Sequence, residues 1–397
     1  MDVLAKRITE LTESQTLAMA ARSRELAAKG IDVINLSLGE PDFATPSHVK
    51  EAAKKAIDLD FSFYTPVAGY ADTRAAIVEK LKRDNGLVYT PDQIVTSTGA
   101  KQSIINVLLC ILNPGDEIIV PTPYWVSYLS MIQLAEAIPV LVHTDVQSNF
   151  KINAAQLEAA ISPKTKAFIF SSPCNPTGTV YSRAELEALV GVFEKYPHIT
   201  VISDEIYEYI NFNGKHESIA AIGSMQERTV VVNGLSKGFA MTGWRFGYIA
   251  APLNIAQACI KLQGQFTSAT CSITQRAAIA ALTGDLASSQ TMNAAFERRR
   301  GLVLNKLKAI PGLICNEPDG AFYVFPDVSG FFGKSYENYQ IANADDLATF
   351  LLLQAHVAVV TGEAFGAPAC IRLSYATSDE KLEIAMDRLA KALALLK

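Results

Sequence analysis

Seven short runs of apolar and β-branched residues punctuate the middle of the chain, at 94–96, 117–120, 140–142, 167–170, 200–203, 229–232 and 246–250. Amphipathic stretches such as 101–112 and 183–195 lie among them. This alternation constrains the fold more than any other feature. The runs are too short for buried helices, and continuous apolar character suits strands covered on both faces. Strands alternating with helical stretches predict a mainly parallel sheet between helices, an α/β fold.

The flanks read differently. A helix is expected over 14–29, closing at Gly30 where a left-handed cap would sit, followed by an apolar segment at 33–38. A long helical region spans roughly 254–283, and a second begins near Ser289. Beyond it come strands at 321–325, 357–360 and 371–375 and helices at 345–354 and 379–396. These predict a smaller α+β domain on which the N-terminal segment packs. The expected division is a large domain over 46–285 and a small domain made of 1–45 and 286–397. A length of 397 residues suits two or three domains.

Composition removes several function classes. The net charge is −5, and no Lys/Arg run supplies the basic face that nucleic-acid binding needs. The six cysteines form no CxxC pair and the five histidines show no metal-ligand spacing, so free thiols in a reducing compartment and no metal are expected. The charged start, Met1 to Glu10, has no apolar run like that of a cleaved signal, and no stretch is long enough to span a membrane. A soluble cytoplasmic protein is the expectation.

Chemistry gathers at Asn233-Gly234-Leu235-Ser236-Lys237, with Arg245 eight positions on. A lysine amine can form an imine with a carbonyl, while a serine hydroxyl and an arginine fork hold a phosphate. Pyridoxal 5'-phosphate carries both an aldehyde and a phosphate. Asp204 follows the run at 200–203 as Lys237 follows that at 229–232, and ligands collect at the carboxyl ends of such strands. An Asp in this place also suits a helix cap, and a lone Lys is usually a surface charge. Together they suit a pyridine ring, whose nitrogen a buried carboxylate keeps protonated. Tyr207 and Asn175, the latter in Ser172-Pro173-Cys174-Asn175-Pro176, offer partners for a phenolic oxygen, and the Asn175 amide equally suits a substrate carboxylate. Thr98-Gly99-Ala100-Lys101 opens a helix, whose free N–H groups suit a phosphate. No GxGxxG or Walker string is present, which argues against dinucleotide or nucleoside-triphosphate chemistry.

From Leu36-Ser37-Leu38-Gly39-Glu40-Pro41-Asp42-Phe43 to Ile371-Arg372-Leu373-Ser374-Tyr375, the chain resembles a class I aminotransferase of pyridoxal-phosphate fold-type I, close to the bacterial aspartate aminotransferase subgroup. The resemblance implies a cofactor link at Lys237, Asp204 at the ring nitrogen, and Tyr207 and Asn175 at the phenolic oxygen. It also implies Ser236, Arg245 and the Gly99–Ala100–Lys101 turn at the phosphate, with Trp125 stacked on the ring. It implies a homodimer with shared sites, Tyr64 reaching the partner's phosphate. Gly39 and Arg372 would meet the substrate, Arg372 by clamping its α-carboxylate.

By the same resemblance, Lys101 would meet the distal carboxylate of aspartate or glutamate, with Ser14 and Thr16 adding hydroxyls. Relatives that also accept prephenate often carry a basic residue just before this hydroxyl pair. Thr12 occupies that place here, which argues against the extension. Thr73 stands where the family commonly has Leu, a difference expected to affect packing only. The expected activity is amino transfer from L-aspartate to 2-oxoglutarate. The alternatives are an aminotransferase for aromatic or other amino acids or prephenate, and a pyridoxal-dependent β-lyase. A transcriptional sensor would add an N-terminal DNA-binding domain, for which the chain leaves no room before the first matching segment.

Overall fold

The seven apolar runs form one sheet in a computed structural model of the chain, which describes residues 3–11 and 15–397. We label its strands β1 (Ile94–Ser97), β2 (Glu117–Thr122), β3 (Ile138–His143), β4 (Thr165–Ser171), β5 (Thr200–Asp204), β6 (Thr229–Gly234) and β7 (Gly247–Ala250). Their order across the sheet is β1-β7-β6-β5-β4-β2-β3. Only β7 runs antiparallel to its neighbours, with Ser97 opposite Gly247 on one side and Gly234 opposite Gly247 on the other. Strands β4, β5 and β6 are buried along almost their whole length, as continuous apolar runs require.

Two layers of helices cover the sheet. Ala100–Ile111 and Leu253–Phe266 share one apolar cluster, with Ile104, Val107 and Leu108 set against Val95, Ile118 and Val230. Ser47–Asp58, Ala71–Lys80 and Ser272–Thr283 build another, around Val49, Ile77 and Ala278. The long helical region expected over 254–283 is two helices, broken at 267–271. The break holds Ser268 at φ 59°, a backbone conformation that no helix continues through.

The C-terminal flank has its own core, in which Phe296, Leu304, Phe322, Leu347, Leu373 and Leu389 meet. The helices Ala287–Lys308 and Asp379–Leu393 pack on a three-stranded antiparallel sheet, ordered Val360–Thr361, Ile371–Ser374, Tyr323–Val324. The expected run 357–360 divides between two sheets. Val357–Ala358 pairs in parallel with Ile34–Asn35, and Val360–Thr361 pairs with Ile371–Ser374. The N-terminal segment thus pairs with this flank through Ile34–Asn35. Its helix Gln15–Ala28 ends before Gly30, which adopts φ 84°. Two ion pairs fasten the segment further: Arg299 to Asp42 at 2.8 Å and Arg388 to Asp32 at 2.5 Å. Among the described residues no helix is long and apolar enough to cross a membrane.

Candidate functional site

Three parallel strands end at one level and deliver the reactive side chains together. Asp204 ends β5 opposite Ser171, the last residue of β4, and opposite Val232 of β6. β6 runs on through Gly234 to Ser236 and Lys237, while the chain after β4 turns through Asn175. A cavity of about 470 Å³ opens over these ends. Its floor carries Asp204, Tyr207, Ser236 and Lys237. Its walls carry Gly39, Ala100, Lys101, Trp125, Asn175, Arg245 and Arg372.

Asp204 is buried. Its Oδ2 accepts from the Tyr128 hydroxyl at 2.8 Å, and its Oδ1 accepts from the Ile206 N–H at 3.3 Å. Burial pushes its pKa up to about 6, and the neighbouring Glu205 charge adds to that. The bonds from Tyr128 and Ile206 and the Lys237 charge act in the opposite direction. Lys237 donates to the Gly39 carbonyl. Its pKa falls to about 8, chiefly through burial and then through the charges of Arg372 and Arg245, against the pull of Glu40 and Asp204. A lysine so lowered presents far more neutral amine near pH 7 than a solvated one.

Tyr207 shares a 2.7 Å hydrogen bond with Tyr323, and burial, followed by Tyr323, holds its pKa well above the ordinary phenol value. The phenol is therefore a neutral hydrogen-bonding group. Arg372 lies on the strand Ile371–Ser374 and is 2% exposed. Its Nη1 donates to Asn175 Oδ1 at 2.9 Å and its Nη2 to the Ser37 carbonyl at 2.6 Å. Tyr323 and Phe365 cover the guanidinium at 4.6 and 5.0 Å from their ring centres. Its Nε has no protein partner, so a buried donor remains for an incoming acceptor.

At the opposite end, the helix Ala100–Ile111 begins directly after Gly99. Gly99 adopts φ 84°, and a Cβ there would lie 2.3 Å from Arg245 Nη2. Only glycine lets the arginine fork come that close to the helix start. Arg245 is exposed and braced by the Thr242 carbonyl at 2.9 Å. The Ser236 hydroxyl, the Arg245 fork and the first free N–H groups of the helix form a donor set suited to a phosphate. A cofactor with an anion at one end, a cationic ring nitrogen near Asp204 and a group reactive toward an amine fits these residues.

Lys101 lies over the Trp125 ring at 5.1 Å from its centre. The residue is exposed as a whole, but partial burial of the amine and then the Arg245 charge lower its pKa. Trp125 meets Tyr128 edge to face at 5.5 Å.

Most of the sequence-predicted residues therefore meet in one cavity. Gly99 does not line it but stands directly behind Arg245. Tyr64 does not line it either and is 100% exposed. Thr12 and Ser14 lie outside the described residues, as does the Thr16 side chain. Two tyrosines of the site escaped the sequence reading. Tyr128 grips Asp204, and Tyr323 links Tyr207 to the face of Arg372. Both stand in apolar surroundings where an aromatic residue reads as core, and neither carries a local signal. Among the described residues no cluster of His, Cys, Asp and Glu suits a metal ion.

The family described as "Aminotransferase class I and II" matches residues 31–389. The chain is 46% identical over 392 residues to the aspartate/prephenate aminotransferase of Cereibacter sphaeroides, covering 98% of each protein. It superposes on the aspartate aminotransferase of Rhizobium meliloti with a TM-score of 0.96 at 42% identity, covering 99% of both chains. It also superposes on the aspartate aminotransferase of Thermus thermophilus with maleate, with a TM-score of 0.93 at 40% identity, covering 99% of this chain and 100% of that one.

Proposed function

The chain belongs to the class I and II aminotransferase family, and from that premise we propose that it transfers the amino group of L-aspartate to 2-oxoglutarate with pyridoxal 5'-phosphate as cofactor. The observation that carries the reading is the convergence of Lys237, Asp204 and Arg372 on one cavity that Lys101 overlooks. The relatives named for aspartate, one of them holding the dicarboxylate maleate, support the same donor. When bound, pyridoxal phosphate supplies an aldehyde that links to amines and a ring that takes up electrons from the substrate Cα.

The roles of this chain's residues follow from their surroundings. Ser236, Arg245 and the helix start at Ala100 hold the phosphate, with Gly99 giving Arg245 its approach. Asp204 holds a proton on the ring nitrogen, because a cation beside it relieves the cost of its burial. Tyr207 and the Asn175 amide would meet the cofactor's phenolic oxygen, and Trp125 would lie beside its ring. Arg372 receives the α-carboxylate on its buried fork and Gly39 lines the same end, which fixes the Cα–H direction. Lys237, whose lowered pKa gives it more neutral amine than a solvated lysine, would take up and hold the proton lost from the substrate Cα. Lys101 offers its ammonium to the distal carboxylate, with Trp125 beside it.

The two domains at 46–285 and at 1–45 with 286–397 belong to the same proposal. So does a homodimer in which Tyr64 reaches the partner's phosphate. The exposed Ile57, Leu59, Phe63 and Phe266 support a covered face there. A cytoplasmic location agrees with six unpaired cysteines. A donor panel tests the function: aspartate, tyrosine, phenylalanine and alanine, each with 2-oxoglutarate. Preference for aspartate is expected, and equal turnover of all four would overturn the assignment. Prephenate in place of 2-oxoglutarate tests the wider acceptor range suggested by the Cereibacter relative's name.

A further inference from the structure

Directly behind Asp204, on the side of β5 away from the cavity, lies a buried charge cluster with no part in binding substrate. Successive residues of a strand face opposite sides, so Ser203 and Glu205 turn away from the cavity as Asp204 turns toward it. Ser203 Oγ donates to Glu205 Oε1 at 2.9 Å, and Ser218 Oγ donates to the same oxygen at 2.6 Å. His216 Nε2 lies 3.0 Å from Glu205 Oε2, an ion pair when the imidazole is protonated. Beside this pair, Lys80 contacts Glu208, and Asn85 bridges the two, accepting from Lys80 at 2.8 Å and donating to Glu208 at 3.0 Å. The side chains of Glu205, His216, Lys80 and Glu208 are all 5% exposed or less.

Charge balance decides the state of this cluster. Two carboxylates and one ammonium leave a net negative charge in a buried region unless His216 is protonated. Burial alone would lower the imidazole's pKa, but Glu205, followed by Glu208, more than offsets burial and the opposing Lys80, and the net shift is upward. The Glu205 carboxyl moves the other way: burial raises it, and the His216 charge and contact with the Ser218 and Ser203 hydroxyls lower it further. The cluster is neutral with His216 as imidazolium. A small cavity of about 260 Å³, lined by His216, Glu208, Asp84 and Lys215, lets the imidazole exchange protons.

We propose that His216 is a positioning residue for the reaction: its positive charge offsets that of Glu205, which otherwise pushes Asp204 further toward its protonated form, and so keeps the proton on the ring nitrogen. An uncancelled carboxylate behind Asp204 is nearer to Asp204 than to a ring in the cavity. It would draw the proton off the ring nitrogen and onto Asp204, replacing an ion pair with a weaker neutral hydrogen bond. The ring would then be a poorer electron acceptor, although no residue touching it had changed. This inference rests on the cofactor reading above.

The test measures affinity, apart from turnover. The cofactor-free protein is titrated with pyridoxal 5'-phosphate and with the carbocyclic analogue in which C–H replaces the ring nitrogen, and the ratio of the two dissociation constants is taken. The wild-type protein should favour the natural cofactor. His216→Gln should reduce that preference roughly tenfold, the scale of one charge-assisted hydrogen bond. Adding Glu205→Gln to His216→Gln should restore the preference, since the pair is then neutral again, and Glu205→Gln alone should keep it. Equal weakening of both compounds by His216→Gln would reduce His216 to a structural role and overturn the proposal. Failure of the double variant to restore the ratio, or loss of preference in Glu205→Gln alone, would overturn it as well. Wild-type protein that binds neither compound would instead sink the cofactor reading itself.

Discussion

Arg372 and Lys101 are two cations facing one cavity, and they are held in opposite ways. Arg372 is almost fully buried, bonded to Asn175 and Ser37, and covered by two aromatic rings. Lys101 is exposed, and the contact recorded for its amine is the face of Trp125. A carboxylate arriving at Arg372 meets a fork whose orientation is already fixed, so little entropy is lost in ordering it. A carboxylate arriving at Lys101 would have to order a flexible side chain whose amine is only partly shielded from water, where ion pairs are weak. Under the proposed roles, the group common to every amino acid would be read rigidly, and the group that distinguishes aspartate would be read loosely.

Removing the residue both ends serve erases the comparison. Lys237→Ala should lower kcat by about 10³-fold or more for every donor, the scale of a lost acid–base group, together with the absorbance band of the linked cofactor. Arg372→Lys keeps the charge but loses the fork, and kcat/KM should fall about 100-fold for aspartate and phenylalanine alike. A fall confined to aspartate would break the contrast between the two cations.

The chemistry between them can be timed by pH. In its proposed role Lys237 would link as its neutral amine, and its pKa of about 8 lies below the ordinary lysine value. The rate at which the cofactor-free protein takes up pyridoxal phosphate should therefore rise about tenfold from about pH 7 to about pH 9 and then level off. A rate still climbing steeply at about pH 10 would mean an ordinary solvated lysine. The smallest effect is expected from Lys101→Ala, which should raise the KM for aspartate roughly fivefold, the upper end for an exposed ion pair, and leave that for phenylalanine unchanged.

The strands of the sheet and the reactive residues at their ends were legible because one cause produces both. A strand buried on both faces must be apolar throughout, so the polar residue that ends the run, Asp204 after β5 or Ser236-Lys237 after β6, stands out against it. Arg372 lacks such contrast, being a buried charge within the strand Ile371–Ser374, and the family resemblance supplied its role. Tyr128 and Tyr323 were illegible for the reverse reason. Their rings pack as core while their hydroxyls do polar work, and only the three-dimensional arrangement separates the two. The smaller sheet was blurred because its strands are two to four residues long, and one apolar run, 357–360, serves two sheets.

The single reversed strand has a consequence for folding. Because β7 runs against β1, the segment that leads into β7 meets the turn that follows β1, bringing Arg245 to Gly99. That junction joins segments far apart in sequence, and such contacts form late because a long loop must close first. The donor set proposed to hold the phosphate therefore comes together only when the sheet closes on its reversed member. On the proposed function, capture of the cofactor would then report that this junction has closed.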